Sequence, residues 1–176
     1  MNRTFKSDET LSFYIQKHKS FDPLEHDFTV HHITQRAVTG TLVSLYKPGT
    51  VVGTLAEKWD KADDGKSWTF VLRKGLQFSD GTPIDASAVK YSLTRLALKV
   101  KERNSRPGLI EHIVGFESLS SLADSFQGIQ VLNDLKLKIE CKEPVKNFLE
   151  KISFGLYGIV SSADFDKKVT GKIHQK

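Results

Sequence analysis

The 176-residue chain contains a single cysteine, Cys141, so no internal disulfide can form. Cys141 falls within an alternating strand pattern far from the N-terminus, so it reads as a small buried apolar residue and not as a lipid-attached one. No apolar run approaches the roughly 20 residues that span a bilayer as a helix. The first residues, Met1-Asn2-Arg3-Thr4-Phe5-Lys6, lack the apolar core of a secretion signal. The expectation is a protein made without such a signal, or a mature form of one. Repeats and low-complexity tracts are absent. So are a Gly-x-Ser-x-Gly elbow, a phosphate-binding loop and a His-Glu-x-x-His helix. Asp63-Asp64 and Asp80 occupy turn positions with no partner base at useful spacing, which leaves catalysis without support.

The formal net charge of +5 is spread over Lys17 and Lys19, Lys99 to Arg106, Lys136 and Lys138, and Lys167 to Lys176. No basic cluster is interleaved with stacking aromatics, so the charges read as solvated faces plus a basic tail, and no nucleic-acid partner is expected. Apolar and charged residues stand in the proportions of a globular chain, long enough for one packed domain or one lobe of something larger.

Hydrophobic periodicity then divides the chain. Leu11, Phe13 and Ile15 alternate with polar residues and predict a strand, followed by a turn at Phe21-Asp22-Pro23. Val30, Ile33, Ala37 or Val38, Thr41, Leu42 and Leu45 recur at helical spacing and predict an amphipathic helix over about 30–44, stopped by Lys47-Pro48-Gly49. Asp63-Asp64-Gly65-Lys66 is a hairpin signal. The strand that follows, from Ser67 to Arg73, puts Trp68, Phe70 and Leu72 on one core-facing side. After Lys74-Gly75, Gln77-Phe78 makes a short extended piece, and Ser79-Asp80-Gly81-Thr82-Pro83 makes a turn.

Asp85 is placed to cap a helix in which Ala86, Val89, Leu93, Leu96, Ala97 and Val100 share a face to about residue 101. Arg103 to Gly108 reads as a loop. Phe116, Leu119, Leu122, Ala123 and Phe126 suggest a further short helix. Ile129 and Val131 precede Asn133-Asp134, after which Leu135, Leu137, Ile139 and Cys141 alternate with charged residues, predicting a second hairpin. A short helix carrying Val145, Phe148, Leu149 and Ile152 follows Pro144, and Leu156–Val160 reads as a buried strand or extended segment. The fold class expected from this order is α/β of the mixed α+β kind, with antiparallel hairpins and flanking helices.

Three blocks carry more than periodicity: Leu55-Ala56-Glu57-Lys58-Trp59, then Asp63 through Gly75, then Phe78 through Ala86 followed by Val89-Lys90-Tyr91-Ser92-Leu93. Their turns, tryptophans and helix start resemble, in order, the signature of the family 5 extracellular solute-binding proteins, the oligopeptide, dipeptide and nickel receptors. Ser20-Phe21-Asp22-Pro23 and Gly128–Glu150 resemble flanking parts of the same family. The likeness covers roughly residues 10–165, with a weaker patch at 101–126.

It implies part of lobe I of a periplasmic-binding-protein type II-like clamshell. Residues 1–165 would form the lobe portion, 166–176 a disordered tail, and the second lobe would be absent, since the chain stops before the family's Gly-Thr/Asn-Gly-Pro-Tyr-like segment. The signature residues themselves read as structural: Gly65 and Gly81 for turns, Trp59, Trp68 and Phe70 for packing, Asp85 for capping.

The implied function is binding of a peptide or other small solute for an ABC transporter permease, peripheral to the membrane in the periplasm or otherwise outside the cytoplasm. No cofactor and no chemistry are implied. The same fold also serves as the ligand-sensing domain of some transcription regulators, which stands as the alternative. In oligopeptide receptors an acid shortly after the Asp-Pro turn pairs with the ligand's amino group. Asp27 falls at that position, with Phe28, Thr29 and His31 beside it as ligand-binding candidates. His26, His31 and His32 raise metal binding. However, His31 and His32 are adjacent, and on a helix they would point about 100° apart, so no metal site is assigned.

Overall fold

In the computed structural model the described residues are Leu24, 39–104 and 108–162. Strands β1 (Val43–Lys47) and β2 (Thr50–Gly53) form a two-stranded hairpin. Strands β3 (Ala56–Lys61), β4 (Ser67–Leu72), β5 (Ile129–Asn133) and β6 (Lys136–Glu140) form a second sheet in the order β3-β4-β6-β5, antiparallel throughout. The helices are α1 (Ala86–Glu102) and the short α2 (Phe148–Ile152), with 3₁₀ turns at Ile110–His112 and Gly155–Tyr157. The mixed architecture expected from the sequence is therefore the observed one.

The first large hairpin forms where the turn chemistry demands it. Gly65 adopts φ +70°, the Asp64 carboxylate accepts the Lys66 amide at 2.9 Å, and the Gly65 amide donates to the Ala62 carbonyl. The register then sets Trp59 opposite Phe70, Trp68 opposite Ile139 and Phe70 opposite Leu137. Phe70, Leu72, Leu137, Ile139 and Ile129 consequently share one buried face. Trp68 stacks on Phe148 of α2, centroids 5.2 Å apart and planes 8° from parallel, and Phe70 lies 6.4 Å from the same ring.

Helix α1 covers that face. Asp85 caps it by accepting the Ala88 amide at 2.8 Å, and the Ala86 amide reaches the Asp134 carbonyl in the β5–β6 turn, so the helix start is pinned to the sheet. Ala86, Val89, Leu93, Leu96, Ala97 and Val100 are buried, as their spacing predicts, and Lys99 and Lys101 sit at the negative end of the helix dipole.

Two expectations fail. The helix predicted over 30–44 does not include its last turn: residues 39–42 are not helical, and Val43–Lys47 is a strand paired with Thr50–Gly53. Residues 30–38 lie outside the described residues. Apolar Val43 and Leu45 satisfy a two-residue period as well as a helical one. The β-branched run Thr50-Val51-Val52, across a turn in which Gly49 takes φ +75°, supplies a strand partner that a helix could not use.

The short helix predicted at Phe116–Phe126 is also absent; turns occupy the segment. The Asp124 carboxylate takes the amides of Ser120 and Ser121 at 2.7 and 2.9 Å and both hydroxyls at 2.7 and 2.9 Å. The Lys101 ammonium meanwhile engages the carbonyls of Phe116, Glu117 and Leu119, which a helix would have spent internally. Leu122, assigned to the apolar face, is 50% exposed.

Leu156–Val160 is the 3₁₀ turn running into an extended stretch, where the Ile159 amide donates to the Gly40 carbonyl at 2.8 Å. The predicted first strand, the turn at residues 21–23 and the tail 166–176 lie outside the described residues.

Candidate functional site

The ligand-binding candidates Asp27, Phe28, Thr29 and His31, and their neighbours His26 and His32, fall outside the described residues. The nearest described position is Leu24, which is 5% exposed and belongs to the same apolar cluster as the sheet and α1. Its burial anchors the chain three residues ahead of Asp27.

The signature block of residues 55–93 is structural throughout. Gly65 and Gly81 take φ +70° and +85° in turns, the Asp80 carboxylate holds the Thr82 amide and hydroxyl, and Asp85 caps α1. Trp59 packs on the core and Trp68 on Phe148, with the Lys61 ammonium 5.8 Å from the Trp68 ring centre.

A shallow groove of about 450 Å³ is lined by Glu111, His112, Phe116, Glu117, Lys142 and Glu143. It forms because the chain after the 3₁₀ turn pairs with the end of β6: Ile113 bridges Cys141, the Val114 amide donates to the Glu140 carbonyl, and the Lys142 amide donates to the His112 carbonyl. His112 Nδ1 lies 3.2 Å from a Glu143 carboxylate oxygen, and Lys142 pairs with Glu117. The hydrogen bond from Lys142 holds the Glu117 carboxyl below the usual carboxylate range. Lys142 and Glu117 answer each other in solvent and His112 is bonded to Glu143, so the groove is a surface patch of paired polar groups that includes Phe116. Sequence reasoning missed it, because only the Ile113–Cys141 pairing brings the two segments together.

Cys141, which borders this seam, is 2% exposed, and burial pushes its thiol up to about 11. A buried thiol held protonated is no nucleophile. Burial likewise raises the Tyr157 hydroxyl. Among the described residues no group of His, Cys, Asp and Glu is placed to hold a metal ion, and no helix is long and apolar enough to cross a membrane.

Comparison with known proteins gives a consistent picture. The sequence profile of the bacterial extracellular solute-binding proteins, family 5 (middle section), matches residues 50–173. The nickel-binding periplasmic protein of Escherichia coli K12 is 37% identical over 86 residues, 49% of this chain and 16% of that protein. The glutathione-binding protein GsiB of Salmonella paratyphi A is 26% identical over 148 residues, 84% of this chain and 26% of that protein.

Among solved structures, the murein tripeptide binding protein MppA of Escherichia coli superposes with a TM-score of 0.75 over 90% of this chain and 32% of its own. At 23% identity that likeness speaks for the fold alone. NikA from Brucella suis, solved with Fe(III)-EDTA, superposes at 0.64 with 26% identity, over 82% of this chain and 27% of its own. The chain thus spans a third or less of the length of these relatives.

Proposed function

Because the chain belongs to the bacterial extracellular solute-binding proteins of family 5, we propose that it is the cargo-capturing part of an ABC importer working outside the cytoplasmic membrane, with a peptide as cargo. The family binds solutes and does not transform them. The observation that carries the reading is the family match over residues 50–173, whose turns, cap and ring stack are those that build the observed sheet and helix. Peptide is favoured over metal because relatives named for glutathione, a D,D-dipeptide and a murein tripeptide stand beside the nickel-binding one.

In this reading the cargo is enclosed between this lobe portion and a second lobe that the 176 residues do not cover, and the closed form docks on the permease. Asp27 takes the peptide's ammonium group, with Phe28, Thr29 and His31 beside it. The buried Leu24 supports that assignment by fixing the chain just ahead of Asp27. A charge-assisted bond inside a drying cleft contributes about 1.5–3 kcal/mol, or roughly 10–100-fold in affinity.

Calorimetry on the complete reading frame with a tri- to pentapeptide library tests both layers. Peptide binding weakened by that factor in Asp27→Ala is the expected result. Unchanged affinity would remove Asp27, and no peptide binding by the unaltered receptor would remove the cargo class.

A further inference from the structure

The main sheet has two edge strands, and they are finished differently. Edge β3 carries exposed charges at Glu57, Lys58, Asp60 and Lys61, and its start is already engaged, the Ala56 amide donating to the Leu42 carbonyl at 2.9 Å. Charges and a covered end are devices that keep a sheet edge from pairing with another chain. Edge β5, Ile129–Asn133, has neither charge nor proline, and its residues from Gln130 to Asn133 are all exposed.

The backbone of β5 is open on that side as well. Gly128 gives its carbonyl to the Glu140 amide at 2.7 Å, so its polar groups face β6. Successive strand residues turn these groups to opposite sides. Gln130, opposite Lys138, therefore also faces β6, and Val131 aims its N–H and C=O away from the sheet. The register slips between Val131 and Asn133, so the regular alternation runs to Val131 and stops there. Val131 and Leu132 are 38% and 49% exposed, so apolar side chains accompany the open backbone.

A strand that adds here must bring an open edge with no charge of its own. The β3 edge fails on both counts, whereas β5 of a second copy meets them. A two-fold pairing centred on Val131 sets each Val131 amide against the other copy's Val131 carbonyl and lays Gln130 beside the other copy's Leu132. Lys136 and Lys138 of β6 then stand three strand spacings, roughly 14 Å, from their counterparts, beyond the screening length of about 10 Å at 0.1 M salt. Pairing β5 with β3 of another copy would bring Lys58 and Lys61 one spacing closer and leave free edges for further addition. Pairing β5 with β5 uses both open edges and closes.

We propose that β5 is a self-association edge, at which two copies of the chain join antiparallel so that their main sheets become one continuous sheet. The contact is short, well under the roughly 800 Å² per partner of a stable complex, so the dimer is weak and half-formed at about 0.1–1 mM chain. It does not depend on the chemistry of the cargo.

Sedimentation velocity and NMR amide exchange on the 176-residue chain, at about 0.02 and about 1 mM, test the edge. Sedimentation should shift from monomer toward dimer at the higher concentration. The Val131 amide should exchange about two- to fivefold more slowly there, while Phe70 and Ile139 keep their rates. Val131→Pro removes an outward N–H only, so it should fold, as unchanged tryptophan fluorescence would show, and stay monomeric at both concentrations. Should that variant fail to fold, Leu132→Lys places a charge on the edge and should have the same effect. A monomer at about 1 mM, a Val131 amide equally protected at both concentrations, or a dimer that survives in the folded variant would each overturn the proposal.

Discussion

Single residues in this chain differ in whether their neighbours can yield. Gly81 takes φ +85°, and a Cβ added there would meet nothing within 4 Å, so Gly81→Ala isolates the backbone cost of about 1–2 kcal/mol. Gly128 has an ordinary φ, yet an added Cβ would meet Ile113 Cγ2 at 2.6 Å and the carbonyl oxygens of Glu140 and Val114 at 2.7 Å. Two of those three are backbone and cannot swing aside. Gly128→Ala should therefore cost more than Gly81→Ala, about 2–3 kcal/mol, measured by urea denaturation of both variants. Asp85→Ala removes the cap of α1 and should cost about 1 kcal/mol, whereas Asp85→Asn, which keeps an acceptor, should cost little; thermal melts of the pair separate the two.

At the scale of elements, α2 is five residues long and could not persist by its own propensity. It exists because Phe148 lies between Trp68 and Phe70 of β4, the strand flanked on both sides. Phe148→Ala should cost about 3–5 kcal/mol and shift the emission of Trp68, which loses its stacking partner. The turn at 118–124 is a different kind of element, held by polar bonds. Hydrogen bonds from the hydroxyls and amides of Ser120 and Ser121 keep the Asp124 carboxyl far below the usual range.

A carboxyl depressed in the folded state stabilises above its unfolded pKa of about 4, and that contribution is lost only as pH falls through the lowered folded value. Carboxyl NMR should accordingly find Asp124 still ionised near about pH 3, below the ordinary aspartate value of about 3.9. Titration of Asp124 near pH 4 would contradict the geometry.

For the whole molecule, the decisive feature is that one apolar cluster joins Leu24, the hairpin β1–β2, the main sheet, α1 and the 157–159 segment. Among the described residues no layer has a core of its own, so their unfolding should be cooperative. Both tryptophans sit in the β3–β4 hairpin, and Cys141 follows β6, the strand beside β4, with its amide donating to the Lys66 carbonyl, so the two probes report on adjoining strands by different chemistry. At pH 8 a thiol near 11 is about one-thousandth ionised, and Cys141 is buried, so a disulfide reagent should react with it only through unfolding. The urea midpoint from thiol reactivity should then coincide with that from tryptophan fluorescence. Thiol release well before the fluorescence change would mean that the 113–141 side opens alone.

By itself the sequence determined the parts whose signals are local and chemically unambiguous. These are the Asp64-Gly65 hairpin, the Asp85 cap with its periodic helix, the Asn133-Asp134 hairpin and the family signature that these features spell. The ligand candidates Asp27, Phe28, Thr29 and His31 came from resemblance alone, because a lone carboxylate carries no pattern of its own. Tertiary structure decided what local pattern left ambiguous. Residues 43–47 became a strand because residues 50–53 offered a partner. Residues 116–126 became turns because Lys101 and Asp124 claimed the polar groups a helix needs. The groove at Phe116 and the hydrogen bond between Ser92 and Val160 join positions 25 to 68 residues apart, and such pairings exist only after the sheet and α1 have packed. Apolar spacing sets which face is buried; long-range closure sets what that face is buried against.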